Sequence, residues 1–185
     1  MFREPLAVLR SFFRFFEGWW FEVGSVSLEE FAEILFLQGS TAGRQWDHLL
    51  DWWPQIQSKN VLALCYEDCV LAPQKVPFVV ADFLNLQLDP NVMKVVVEQT
   101  SKDFMLGQEN KFDEHVLREI RDPVWGLPPG EKSGKVVASG PDLEVSSKVH
   151  QALDDVWSET IEAALNFKNY NEFRHALPNP LGVAR

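Results

Sequence analysis

The chain has 185 residues, 46% of them hydrophobic, and a formal net charge of −10. That length supports one sizeable core rather than two, so a single unit over residues 1–185 is expected. The negative charge argues against a nucleic-acid partner, and the cations come in ones and twos, such as Arg118 with Arg121 and Lys132 with Lys135, an arrangement suited to a small anion.

Val8, Leu9, Phe12, Phe13 and Phe16 recur at helical intervals and predict a helix over 6–16, with Pro5 in its first turn and Gly18 ending it. The aromatic stretch that continues to Phe21 is interrupted by Arg14, Glu17 and Gly18, so it is too short and too polar to span a bilayer. Ser27 with Glu30 three residues later reads as a capping box opening a helix over 28–35, which Gly39 closes. Trp46, Leu49, Leu50 and Trp53 predict a helix over 42–56 that Pro54 disturbs near its end. The apolar run 60–66 fits a buried strand of a parallel sheet. Within and just after it lie Cys65 and Cys69, which with four scattered histidines fall short of a metal set. No signal peptide is legible, so the thiols read as reduced and the protein as cytoplasmic.

Helices are predicted over 78–86 and over 91–99, the second preceded by Pro90. Residues 120–142 are dense in proline and glycine and read as one long loop. A long helix over 143–165 and a short one over 170–176 complete the order. One strand among so many helices is a strange inventory for an α/β domain, because strands need one another. Met1-Phe2-Arg3 reads as the end of a strand entering a helix, and the remaining strands are expected upstream of it.

Taken together, Arg3-Glu4-Pro5 with Ser11, Phe15-Phe16-Glu17-Gly18-Trp19-Trp20, Trp46-Asp47-His48 through Trp52-Trp53, Tyr66-Glu67-Asp68, Val80-Ala81-Asp82-Phe83-Leu84 and Asp122-Pro123 resemble the cytosolic sulfotransferase family in order and approximate spacing. The resemblance implies an α/β fold, a parallel sheet flanked by helices and related to nucleotide kinases of the P-loop type, of which this chain is the C-terminal part. It implies transfer of a sulfuryl group from 3′-phosphoadenosine 5′-phosphosulfate to a hydroxyl or amine of a small acceptor, with no metal.

The resemblance places five residues at the donor. A guanidinium at a strand end and a hydroxyl on the next helix can bind a 3′-phosphate by charge-assisted hydrogen bonds, and Arg3 and Ser11 take those positions. Tyr66 and Thr100 match residues that line the adenosine, while Lys102 stands where the family commonly has an aromatic residue. Lys135 is what remains of an Arg-Lys-Gly cluster at the phosphate, and Gly140-Pro141-Asp142 replaces the family's Gly-x-Trp-Lys. The family's base, a histidine, and its phosphosulfate loop would precede Met1, so no catalytic residue is assigned here. His48 reads as a packing or substrate-proximal residue, and His115, His150 and His175 as surface residues. A rival expectation is a non-catalytic interaction protein that presents Phe12, Phe13, Trp19, Trp20 and Phe21 to a partner. No dimer motif is legible near 144–150, which leaves a homodimer or another protein partner open.

Overall fold

The computed structural model describes residues 1–17, 20–39, 43–108, 111, 124 and 143–185. Helix α1, Pro5–Phe16, begins with proline at a position where a missing N–H costs nothing, and buries Pro5, Leu9 and Phe13 along one stripe. Phe13 meets Phe31 edge-on at 5.6 Å and Phe21 at 5.8 Å. Phe31 ends α2, Leu28–Phe31, whose capping box is formed: the Glu30 amide donates to Ser27 Oγ at 3.2 Å and the Ser27 amide to Glu30 Oε2 at 2.8 Å. A π-helical turn, Ala32–Phe36, prolongs α2. Helix α3, Gln45–Trp52, buries Trp46 and Leu49 and tightens at Pro54 into a 3₁₀ turn, Trp53–Gln55.

Residues 61–64, without regular structure, lead to Cys65, which pairs with Phe2 in an isolated parallel bridge. Phe2 donates to the Leu64 carbonyl and Tyr66 donates to the Phe2 carbonyl, both at 2.8 Å. Helix α4, Tyr66–Leu71, starts immediately and is followed by the 3₁₀ turn Pro73–Lys75 and by α5, Val76–Phe83. Next come α6, Pro90–Gln99, and α7, Lys102–Leu106. In the last segment α8, Ser147–Trp157, is capped by Ser146 and passes through a π-helical turn, Ser158–Glu162, into α9, Ala163–Leu165. Asn166, in the left-handed conformation at φ 63°, ends that run. Helix α10, Tyr170–Ala176, is capped by Asn169.

The core is one aromatic-rich cluster that joins both ends of the chain. Fully buried Phe173 on α10 lies 5.6 Å from Phe2, 5.1 Å from Trp53 and 5.8 Å from Phe167.

Several expectations change. Among the described residues the apolar run 60–66 forms no strand but one isolated bridge, Phe2 with Cys65, because a strand needs neighbouring strands to pair with and none lies beside it. Among the described residues the chain is therefore helical, with one parallel contact in place of a sheet. The helix expected over 143–165 begins only at Ser147, because the Ser146 hydroxyl accepts from the Val149 amide and sets the start there. Of the aromatic residues expected to face a partner, Phe13 is buried and Phe21 packs against the core, whereas Phe12 and Trp20 are exposed; Trp19 lies outside the described residues. The 120–142 loop, with Lys135, also lies outside them apart from Val124. No helix of the described residues is long and apolar enough to cross a membrane.

Candidate functional site

Arg3 stands at the junction of the parallel bridge and α1, and its main chain is held on both sides. Its carbonyl accepts from Gln45 Nε2 at 2.7 Å. The next amide, Glu4 N–H, donates to Glu67 Oε1 at 3.0 Å. Among the described residues no hydrogen bond or ion pair ties the Arg3 side chain. Its guanidinium carbon lies 4.1 Å from the centre of the Tyr66 ring, a cation–π contact, and Arg3 Nε is buried without a hydrogen-bond partner among the described residues. Among the described residues no carboxylate pairs with this half-buried guanidinium, and a positive charge so placed favours an anion.

Ser11 lies half-buried on α1, and among the described residues its hydroxyl makes no hydrogen bond. Tyr66 opens α4, partly exposed, and among the described residues is the one expected donor residue that touches Arg3. Thr100 caps α6 and spends its hydroxyl on the Val96 carbonyl at 2.7 Å. No bond or ring contact joins it to Arg3, Ser11 or Tyr66 among the described residues. Lys135 lies outside them.

Beside Arg3 opens a cavity of about 390 Å³. Phe12 and Phe16 of α1, Leu35 and Phe36 of the π turn, and Leu49 of α3 give it an apolar wall, and Arg3, Gln45 and His48 bring polar groups to it. Few polar groups in an apolar cavity is the usual composition of a small-molecule site. His48 packs against Phe2 at 6.4 Å and Trp52 at 6.2 Å. Desolvation by these neighbours holds its imidazole below the ordinary value of 6.5, favouring the neutral ring at neutral pH. Arg44, at the same cavity, is paired with Asp47 through bonds of 3.1 and 2.9 Å and is not available as Arg3 is.

Behind this site, consecutive residues of the Tyr-Glu-Asp stretch each turn a different way. Tyr66 supports Arg3, Glu67 holds the start of α1, and buried Asp68 accepts from Arg174 and Arg185. Sequence reading quoted Glu67 without a role and missed Gln45. Neither could be found by spacing, since Glu67 and Glu4 are 63 positions apart and Gln45 and Arg3 are 42 apart. Among the described residues no group of His, Cys, Asp or Glu is arranged to hold a metal ion.

A family model described as a sulfotransferase domain matches residues 1–135. Sulfotransferase 2A1 of Homo sapiens is 29% identical over 121 residues, which is 65% of this chain and 41% of that protein. Sulfotransferase 1B1 of Mus musculus is 35% identical over 78 residues, 42% of this chain and 26% of that one. A 3-beta-hydroxysteroid sulfotransferase of Cavia porcellus is 29% identical over 83 residues, 44% of this chain and 28% of the relative. The chain thus spans less than half the length of these curated relatives. No solved structure gives a significant match.

Proposed function

The chain belongs to the sulfotransferase domain family, and on that premise we propose that it forms the 3′-phosphate side of a donor site at which a whole protein transfers a sulfuryl group from 3′-phosphoadenosine 5′-phosphosulfate to a hydroxyl or amine. The observation that supports this most is Arg3: its backbone is fixed by Gln45 and Glu67, its guanidinium rests on Tyr66, and among the described residues no acidic group pairs with it. Such a cation is preorganised for a phosphate, because little conformational freedom is left to lose on binding.

In this reading Arg3 and the unengaged Ser11 hydroxyl grip the 3′-phosphate, Tyr66 and Thr100 face the adenosine, and Lys135 adds a second positive charge. Chemistry on the sulfuryl group is supplied by the bound donor together with a base and a phosphosulfate loop that we do not assign to these residues. The apolar cavity beside Arg3 is suited to an acceptor whose hydroxyl or amine sits on a mostly apolar skeleton, with neutral His48 at its edge. The rival reading, a non-catalytic interaction protein, draws less support, since Phe13 belongs to the core and Phe21 packs against it.

Calorimetric titration of adenosine 3′,5′-bisphosphate into the chain, Ser11→Ala and Lys135→Ala tests the assignment. Each variant is expected to bind about 10-fold or more weakly, the loss of one charge-assisted hydrogen bond. Unchanged affinity in both would remove Ser11 and Lys135 from the site.

A further inference from the structure

Glu67 is a carboxylate served by three donors from three parts of the chain. Its Oε1 accepts from the Glu4 amide at 3.0 Å, and its Oε2 accepts from Tyr170 Oη and from Cys65 Sγ, each at 2.8 Å. Burial works against the charged form, but the bonds from Cys65, the Glu4 amide and Tyr170 outweigh it and hold the carboxyl below its ordinary value of 4.5. Tyr170 is buried, and burial, Cys65 and Glu67 together push its phenol up, so it remains the proton donor.

Through Glu67 this arrangement links two places, one 63 positions before it and the other 103 after it. At one end is Glu4, the residue after Arg3 and the cap of α1. At the other is the first residue of α10, in a stretch outside the residues 1–135 that the family model covers. Without the phenol, Oε2 would keep only a thiol donor, which is weak. The carboxylate could then turn, and its grip on the Glu4 amide would loosen. The next residue offers no such freedom, because Asp68 is fixed by two guanidinium groups.

We infer that Tyr170 is a positioning residue for the donor anchor: acting through Glu67, it fixes the Arg3–Glu4 turn from which the Arg3 guanidinium lies over Tyr66. The link from Tyr170 to Glu4 stands on geometry alone, and its consequence for the donor rests on the proposed function.

Tyr170→Phe removes only the hydroxyl and keeps the ring that lies against Phe173 at 6.2 Å and Trp157 at 6.2 Å. The test measures amide hydrogen exchange at Glu4 by NMR, and affinity for adenosine 3′,5′-bisphosphate, in the wild type, Tyr170→Phe, Glu67→Gln and Ser27→Ala. The last is a helix-cap variant that lowers stability without touching the link. Exchange at Glu4 is expected to rise, and bisphosphate affinity to fall, by about fivefold in Tyr170→Phe, the weight of one hydrogen bond. Glu67→Gln should change both in the same direction, and Ser27→Ala neither. Unaltered exchange at Glu4 in Tyr170→Phe and Glu67→Gln would overturn the link itself. Faster exchange with full bisphosphate affinity would overturn its role at the anchor. Faster exchange in a protein whose wild type ignores the bisphosphate would instead overturn the donor reading and leave the link standing.

Discussion

Asp68 is the buried polar residue on which the last part of the chain turns. Its Oδ1 accepts from Arg174 Nη2 at 2.6 Å, and its Oδ2 from Arg185 Nε at 2.9 Å and Nη2 at 2.5 Å. Arg185 also donates to the carbonyls of Arg174, Leu177 and Pro178, so the segment after α10 is drawn onto α4. Burial raises the cost of the charged carboxyl, but the bonds from Arg185 and Arg174 more than offset it, and its folded value lies below the ordinary 3.8. The sign follows: this stabilisation is complete above pH 3.8 and is lost as pH falls through the lower folded value. Asp68→Asn, which leaves two guanidinium groups facing a neutral amide, should cost about 3–5 kcal/mol in urea unfolding at neutral pH. That penalty should shrink as the wild type is acidified past its own carboxyl titration; a constant penalty down to strong acid would remove the ion pairs as its cause. None of this is legible in sequence, since the partners lie 106 and 117 positions away.

The start signals read from single residues locate the helices well. Pro5, the Ser27–Glu30 box and Pro90 each fall where a helix opens, because each acts through neighbours within one turn. Helices α4 and α7, of six and five residues, are too short to show a hydrophobic period in the sequence. The run 60–66 misled for the opposite reason: its composition suits a strand, but a strand is a property of its partners. Two substitutions separate local from packing contributions. Ser27→Ala should lower stability by about 0.5–2 kcal/mol, the weight of a helix cap. Phe173→Ala, which opens a cavity among Phe2, Trp53 and Phe167, should cost about 3–5 kcal/mol. Equal effects in thermal unfolding would mean that α10 is not the keystone of the core.

At the scale of the molecule, the described part divides into a packed aromatic cluster and an α5–α6 face where Phe78, Val92 and Val95 are exposed. The donor-site assignment is only partly gathered by the fold. Arg3 and Tyr66 meet, Ser11 makes no hydrogen bond with its hydroxyl among the described residues, and Thr100 is bonded to its own helix. The meeting of Arg3 and Tyr66 is within reach of the sequence because each follows a residue of the parallel bridge, Phe2 or Cys65. The cavity walls and the Glu67 hub depend on tertiary packing and leave no local pattern. The central claim is that Arg3 is an anchor for a 3′-phosphate, and the most direct measurement compares adenosine 3′,5′-bisphosphate with adenosine 5′-monophosphate in titrations of the wild type and Arg3→Ala. The account predicts that the wild type prefers the bisphosphate by about 10-fold or more and that Arg3→Ala loses this preference. Equal binding of the two nucleotides by the wild type, or a preference that survives in Arg3→Ala, would contradict it.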